Sequence, residues 1–187
     1  MMRRLLAALS LASVVFVVAS APARAQDVSK DAAAAIKGGF VEDLGGLEKK
    51  FVALAEAFPP DKYTWRPMDG VRSVSEVLML AAFEGYSFIP NSFGAKAAEV
   101  GSREEMAKLR TLSDKPQVID HLKKGFAHAK QQIGALDAAT LTGTRKVMGR
   151  DMSVVQIADG IGGDLHEHLG QLIAYARMNH IVPPWSK

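Results

Sequence analysis

The stretch SVVQIADGIGGDLHEHLGQLIAYARMN, residues 153–179, decides the fold. Val154, Ala158, Ile161, Leu165, Leu169, Leu172 and Ala176 recur at spacings of three and four, the period of one helical face. Ser153 stands where an N-cap is needed, and the pattern runs to about Asn179 without a proline. A helix of this length with a single apolar seam cannot bury it alone and requires partner helices.

Three further segments supply such partners. From Asp27 to Phe58, Ile36, Phe40, Leu44, Leu47, Phe51, Leu54 and Phe58 form one stripe, which Pro59-Pro60 ends. Ser73-Val74-Ser75-Glu76 is a capping box that opens a second helix, with Val74, Val77, Leu78, Ala81 and Ala82 facing inward and an end near Pro90. A third helix starts around Ser113-Asp114, accommodates Pro116 in its first turn, and carries Leu122, Phe126, Ala129, Ile133 and Leu136 on one face. Residues 61–71 mix aromatics with proline and glycine and read as an ordered connection. Residues 91–111 are polar with a short helix after Ser102, and residues 142–151 form a loop in which Lys146-Val147-Met148 is a brief extended piece. The expected class is all-α, an up-and-down or crossover four-helix bundle without internal repeats.

Composition agrees with one globular domain. The chain has 187 residues, 48% hydrophobic and 23% charged, which excludes disorder and fibrous classes. It has no cysteine, which removes disulfides, thiolate metal sites and a cysteine nucleophile and leaves His, Asp, Glu, Tyr, Ser and Lys for any chemistry.

Met1-Met2-Arg3-Arg4, the uncharged apolar run Leu5 to Ser20, and Ala21-Pro22-Ala23-Arg24-Ala25 together read as a cleavable secretory signal cut after Ala25. The alternative, a membrane-spanning helix, needs roughly 17–25 apolar residues, and this run lies at the short end of that range. The expected organisation is therefore a signal peptide at 1–25 and one helical domain at 26–187. The expected location is periplasmic or secreted, with no stable membrane insertion after cleavage. The formal charge of +3 arises wholly from Arg3, Arg4 and Arg24, so the mature chain is balanced and nucleic acid is not an expected partner.

The densest chemical signal is Asp164-Leu165-His166-Glu167-His168. At about 100° per residue His168 falls within about 40° of the seam centre, Asp164 lies on its border and His166 points to the flank. Asp164 and His168, one turn apart, make half of a metal site whose other ligands would come from a facing helix. They equally describe a core histidine oriented by a carboxylate. His121 and His128 read as solvent-exposed surface and His180 as a helix-end cap. No G-x-S-x-G, Walker, Rossmann or H-E-x-x-H pattern is present.

Tyr63-Thr64-Trp65-Arg66-Pro67, Ser73-Val74-Ser75-Glu76-Val77-Leu78 and the run His168 to Arg177 (HLGQLIAYAR), in this order, resemble the DinB-like family. The resemblance covers nearly all of the mature chain. It implies a four-helix bundle related to bacillithiol- and mycothiol-dependent S-transferases and to maleylpyruvate isomerase, often with zinc or nickel held by three histidines. It implies no DNA contact. Carried over residue by residue, the three ligand positions fall at Leu80, Asp164 and His168, so one of three histidines is present. Leu80 cannot ligate. Glu84, one turn further along the same helix, is the substitute, and Glu84, Asp164 and His168 would favour Mn, Fe or Zn over a softer metal. The same three side chains could instead form a hydrogen-bonded polar cluster. Trp65, Arg66 and Tyr86 are expected to line the mouth of the cleft, and Arg177 to pair with an acidic neighbour. The implied function is a divalent-metal-dependent hydrolase or transferase acting on an unidentified small molecule. The alternative is a non-catalytic binding or structural module, with a homodimer formed through a helix face open to either.

Overall fold

The computed structural model describes residues 27–186. The signal segment expected at 1–25 lies outside them. The first helix, α1 (Lys30–Ala57), starts where the Ser29 side chain accepts the Ala32 N–H at 3.1 Å. It stops at Phe58, ahead of Pro59-Pro60. Its last carbonyls are satisfied from outside, because Lys115 Nζ donates to the Glu56 and Phe58 oxygens at 2.7 Å each. Every residue of the predicted stripe is buried except Ile36, which is partly so.

The connection to the second helix is ordered, as its aromatics suggested. The buried Tyr63 hydroxyl donates to the Ala55 carbonyl at 2.7 Å, and Trp65 meets Tyr175 edge to face. The reciprocal bonds of the Ser73 and Glu76 capping box then open α2 (Val74–Phe83). The expected end near Pro90 is corrected by the structure. A π-helical turn, Glu84–Phe88, follows α2 and leads into α3 (Ile89–Phe93), so that helical backbone passes through the proline. Pro90 has no N–H for the Tyr86 carbonyl, and the Ala98 N–H takes its place at 2.7 Å. Gly94, at φ 76°, ends the segment in the left-handed region.

Ser102 caps α4 (Arg103–Arg110), and Asp114 caps α5 (Lys115–Gly134) with Pro116 in its first turn. The loop expected at 142–151 is an antiparallel hairpin, β1 (Arg145–Val147) with β2 (Arg150–Met152). The second strand goes beyond the single extended piece expected at Lys146-Val147-Met148. Met148 and Gly149 both take positive φ, which matches the twist of a two-residue hairpin turn, and Lys146 and Asp151 pair across the strands at 3.4 Å. Ser153 and Gln156 form a second capping box at the start of α6 (Val154–Met178).

The fold is thus predominantly helical. Helices α1 and α2 each pack against both α5 and α6 around one continuous core. Phe40 stacks on Phe93 and Phe51 tilts against Phe126 within it. Truncating a fully buried side chain such as Leu165 to alanine is expected to cost about 2–5 kcal/mol. Among the described residues no helix is long and apolar enough to cross a membrane.

Candidate metal centre

Glu84 owes its position to the π-helical turn that it opens. Where this turn passes α5, Gly85 lies directly on Gly125, and the missing side chains let the two backbones touch. A π turn shifts the phase of the residues around it and is frequent at functional sites. Here it begins on the carboxylate that faces α6.

From α6, Asp164 and His168 project one turn apart, as their spacing required. His168 Nε2 lies 3.7 Å from Asp164 Oδ2 and 4.0 Å from Glu84 Oε1. The three residues can present one ligand atom each, all within 4.8 Å of one another. Ligand atoms about 2.1 Å from a shared cation in tetrahedral geometry lie roughly 3.4 Å apart, so the set needs only a small contraction to close on a metal. The side chains of Glu84 and His168 are 11% and 16% exposed, whereas that of Asp164 is 47% exposed, which leaves the cluster open on one side.

The electrostatics single out Glu84. Its Oε2 is buried without a hydrogen-bond partner. Burial, and next the Asp164 carboxylate, push its acid up to about 8 against the pull of Arg72. An ionised oxygen left unpaired at a buried position is costly, so Glu84 holds its proton unless a cation offsets that cost. Two carboxylate oxygens and one imidazole are a hard donor set.

Other predicted residues are placed apart from this cluster. Leu80, at the first ligand position implied by the family resemblance, lines the same cavity as Glu84 and Asp164 but brings no donor atom. His166 points away and bonds Asp43 of α1 at 3.1 Å. Arg66 lines a neighbouring recess and is tied to Glu76. Trp65 and Tyr86 line neither space. Trp65 packs on Tyr175, and Tyr86, two residues beyond Glu84, faces α5 and meets His121 Nδ1 through its hydroxyl at 3.1 Å. His121 and His128 are consequently half-buried rather than surface groups, since His128 Nε2 also meets the Lys96 carbonyl at 3.0 Å. The segment after α3 folds over α5, a tertiary contact that the helical phase of either histidine could not reveal. Arg177 lines a small recess at the C-terminal end and has no carboxylate partner among the described residues. At His180 the backbone N–H caps the Arg177 carbonyl at 3.0 Å.

No family model and no curated protein matches this chain.

The cavity beside Glu84 and Asp164 measures about 490 Å³ and is walled mainly by apolar side chains. Part of that wall, Val147, Met148 and Met152, comes from the hairpin. The sequence signal for it was the Met148-Gly149 turn flanked by Lys146 and Asp151. A cation held by Glu84, Asp164 and His168 would border this apolar space.

Proposed function

We propose that this chain is an exported member of the DinB-like group, a four-helix bundle whose divalent-metal site has changed from three histidines to Glu84, Asp164 and His168. It serves as a metal-dependent hydrolase or transferase for a small molecule. The observation that carries the reading is the convergence of these three side chains from two helices, with a buried, unpaired carboxylate oxygen, at the wall of an apolar cavity. The order of the motifs around Trp65, Ser73 and His168 supports the family assignment, and residues 1–25 support export.

A bound divalent cation would supply Lewis acidity, lowering the pKa of water or of a substrate group beside it. The chain's own residues do the rest. His168 fixes one ligand direction from the α6 seam. Glu84 gives up its proton as the site fills. The apolar walls orient the substrate and keep bulk water away, which strengthens every charge interaction inside.

The test is the metal content of protein purified without chelators or a histidine tag. Near-stoichiometric Mn, Fe, Ni or Zn, lost in His168→Ala while helical circular dichroism is retained, is the expected result. A metal-free wild type, or unchanged metal in His168→Ala, overturns the reading.

Leu80 favours a second reading. An apolar residue at a ligand position fits a non-catalytic binding module in which Glu84, Asp164 and His168 are a polar cluster, and a well-folded, metal-free chain would support it.

A further inference from the structure

We infer that the cavity beside Glu84 and Asp164 takes an amphipathic anion, with its apolar body between α2, α6 and the hairpin and its acidic head held by Arg72 and Arg110. The inference rests on reading this cavity as the substrate space of the proposed metal centre.

The apolar half is built from Leu80, Phe83, Phe88, Met152, Ile157 and Ile161. Its volume of about 490 Å³ lies within the roughly 300–1,000 Å³ of small-molecule sites. Gly160 also lines it, and a Cβ there would meet nothing within 4 Å, so the helix backbone itself leaves room. Transfer of an aliphatic or aromatic group into such a space is favourable at about 25 cal/mol per Å² buried.

The anionic half lies next door. A recess of about 330 Å³ shares Leu80, Phe83 and Arg110 with the cavity and is edged by Arg66 and Arg72. Glu76 occupies Arg66. Neither Arg72 nor Arg110 forms an ion pair among the described residues, and the Arg72 charge acts on Glu84 only at longer range. The Arg110 guanidinium lies over the Phe83 ring, 5.5 Å from its centroid, which sets its charge on the border between the two spaces. The Arg72 backbone is tethered because its carbonyl accepts the Tyr175 hydroxyl at 3.0 Å. Guanidinium groups pair readily with carboxylates and phosphates. A single acidic head beside an apolar body meets both halves, the head at the arginine recess and the body in the cavity.

Calorimetric titration of the full chain with octanoate and with neutral 1-octanol tests this, in zinc-loaded and metal-free preparations whose zinc stoichiometry is measured separately. Octanoate is expected to bind at least tenfold more tightly than 1-octanol. The double variant Arg72→Gln, Arg110→Gln should erase that difference by weakening octanoate binding at least tenfold, and Gly160→Leu should abolish binding of both. Equal affinities in the wild type, or octanoate binding unchanged in either variant, overturns the inference. Full zinc loading without octanoate binding overturns it and leaves the metal centre standing, whereas octanoate binding to a chain that takes no zinc overturns the metal centre alone.

Discussion

Gly85 lies so close to Gly125 that a Cβ built on it would stand 2.4 Å from the Gly125 carbonyl oxygen. A Cβ on Gly125 would stand 2.4 Å from the Ala82 oxygen in turn. Backbone cannot yield as a side chain does, so this contact fixes the separation of α2 from α5 and with it the place of Glu84. Gly85→Ala is expected to destabilise the chain by about 1–3 kcal/mol and to weaken zinc binding, measured by denaturant melts and calorimetry. An unchanged melt would show that the helices separate freely.

The glycines of α1 behave oppositely. At Gly39 and Gly46 an added Cβ meets nothing within 4 Å, and both lie in the helix interior. Gly39→Ala and Gly46→Ala should each stabilise by about 0.5–1 kcal/mol, read as a raised thermal midpoint.

Restoring a donor at Leu80 tests the proposed ancestry of the site. Leu80 shares the cavity wall with Glu84 and Asp164, so Leu80→His is expected to tighten zinc or nickel binding at least tenfold by calorimetry. No gain in affinity would mean that position 80 does not converge on the cluster.

The acid of Glu84, at about 8, makes stability fall as pH rises. Its ordinary value is about 4.3, so between these limits the folded chain binds more protons than the unfolded one. Stability is unaffected below the lower value and declines through the interval to the upper. Glu84→Gln should therefore stabilise the metal-free chain near pH 9, on the order of a few kcal/mol, and change little near pH 4. Loading zinc onto the wild type near pH 7 should release a proton, detectable as buffer-dependent binding heat.

Glu76 works with the opposite sign. The Ser73 backbone N–H donates to its Oε2 at 2.6 Å and holds its acid below the usual carboxylate range, with Arg66 assisting. That contribution is present above the ordinary carboxylate value and is lost as pH falls through the depressed one. Glu76→Gln should flatten the acid limb of the stability profile, and Ser73→Ala should cost about 1 kcal/mol at neutral pH.

The helix starts are the most legible features, because an N-cap is a local hydrogen-bonding arrangement. Ser73, Ser102, Asp114 and Ser153 all start helices where their sequence contexts said they would. The pairing of Asp164 with His168 was equally legible, since one helical turn fixes it. Glu84 was reached through the family resemblance alone, and nothing in the periodicity of α2 announced the π turn that displays it.

The long helices, their N-caps and most of their buried faces follow from local sequence, because apolar period and side-chain capping act within a few residues. What those faces meet depends on long-range packing. The contact of Gly85 with Gly125, the approach of His121 to Tyr86, the hairpin wall and the recess edged by Arg72 and Arg110 join residues far apart in the chain. Helical phase sets the direction in which a side chain leaves its own axis, whereas the group it encounters depends on how the helices dock.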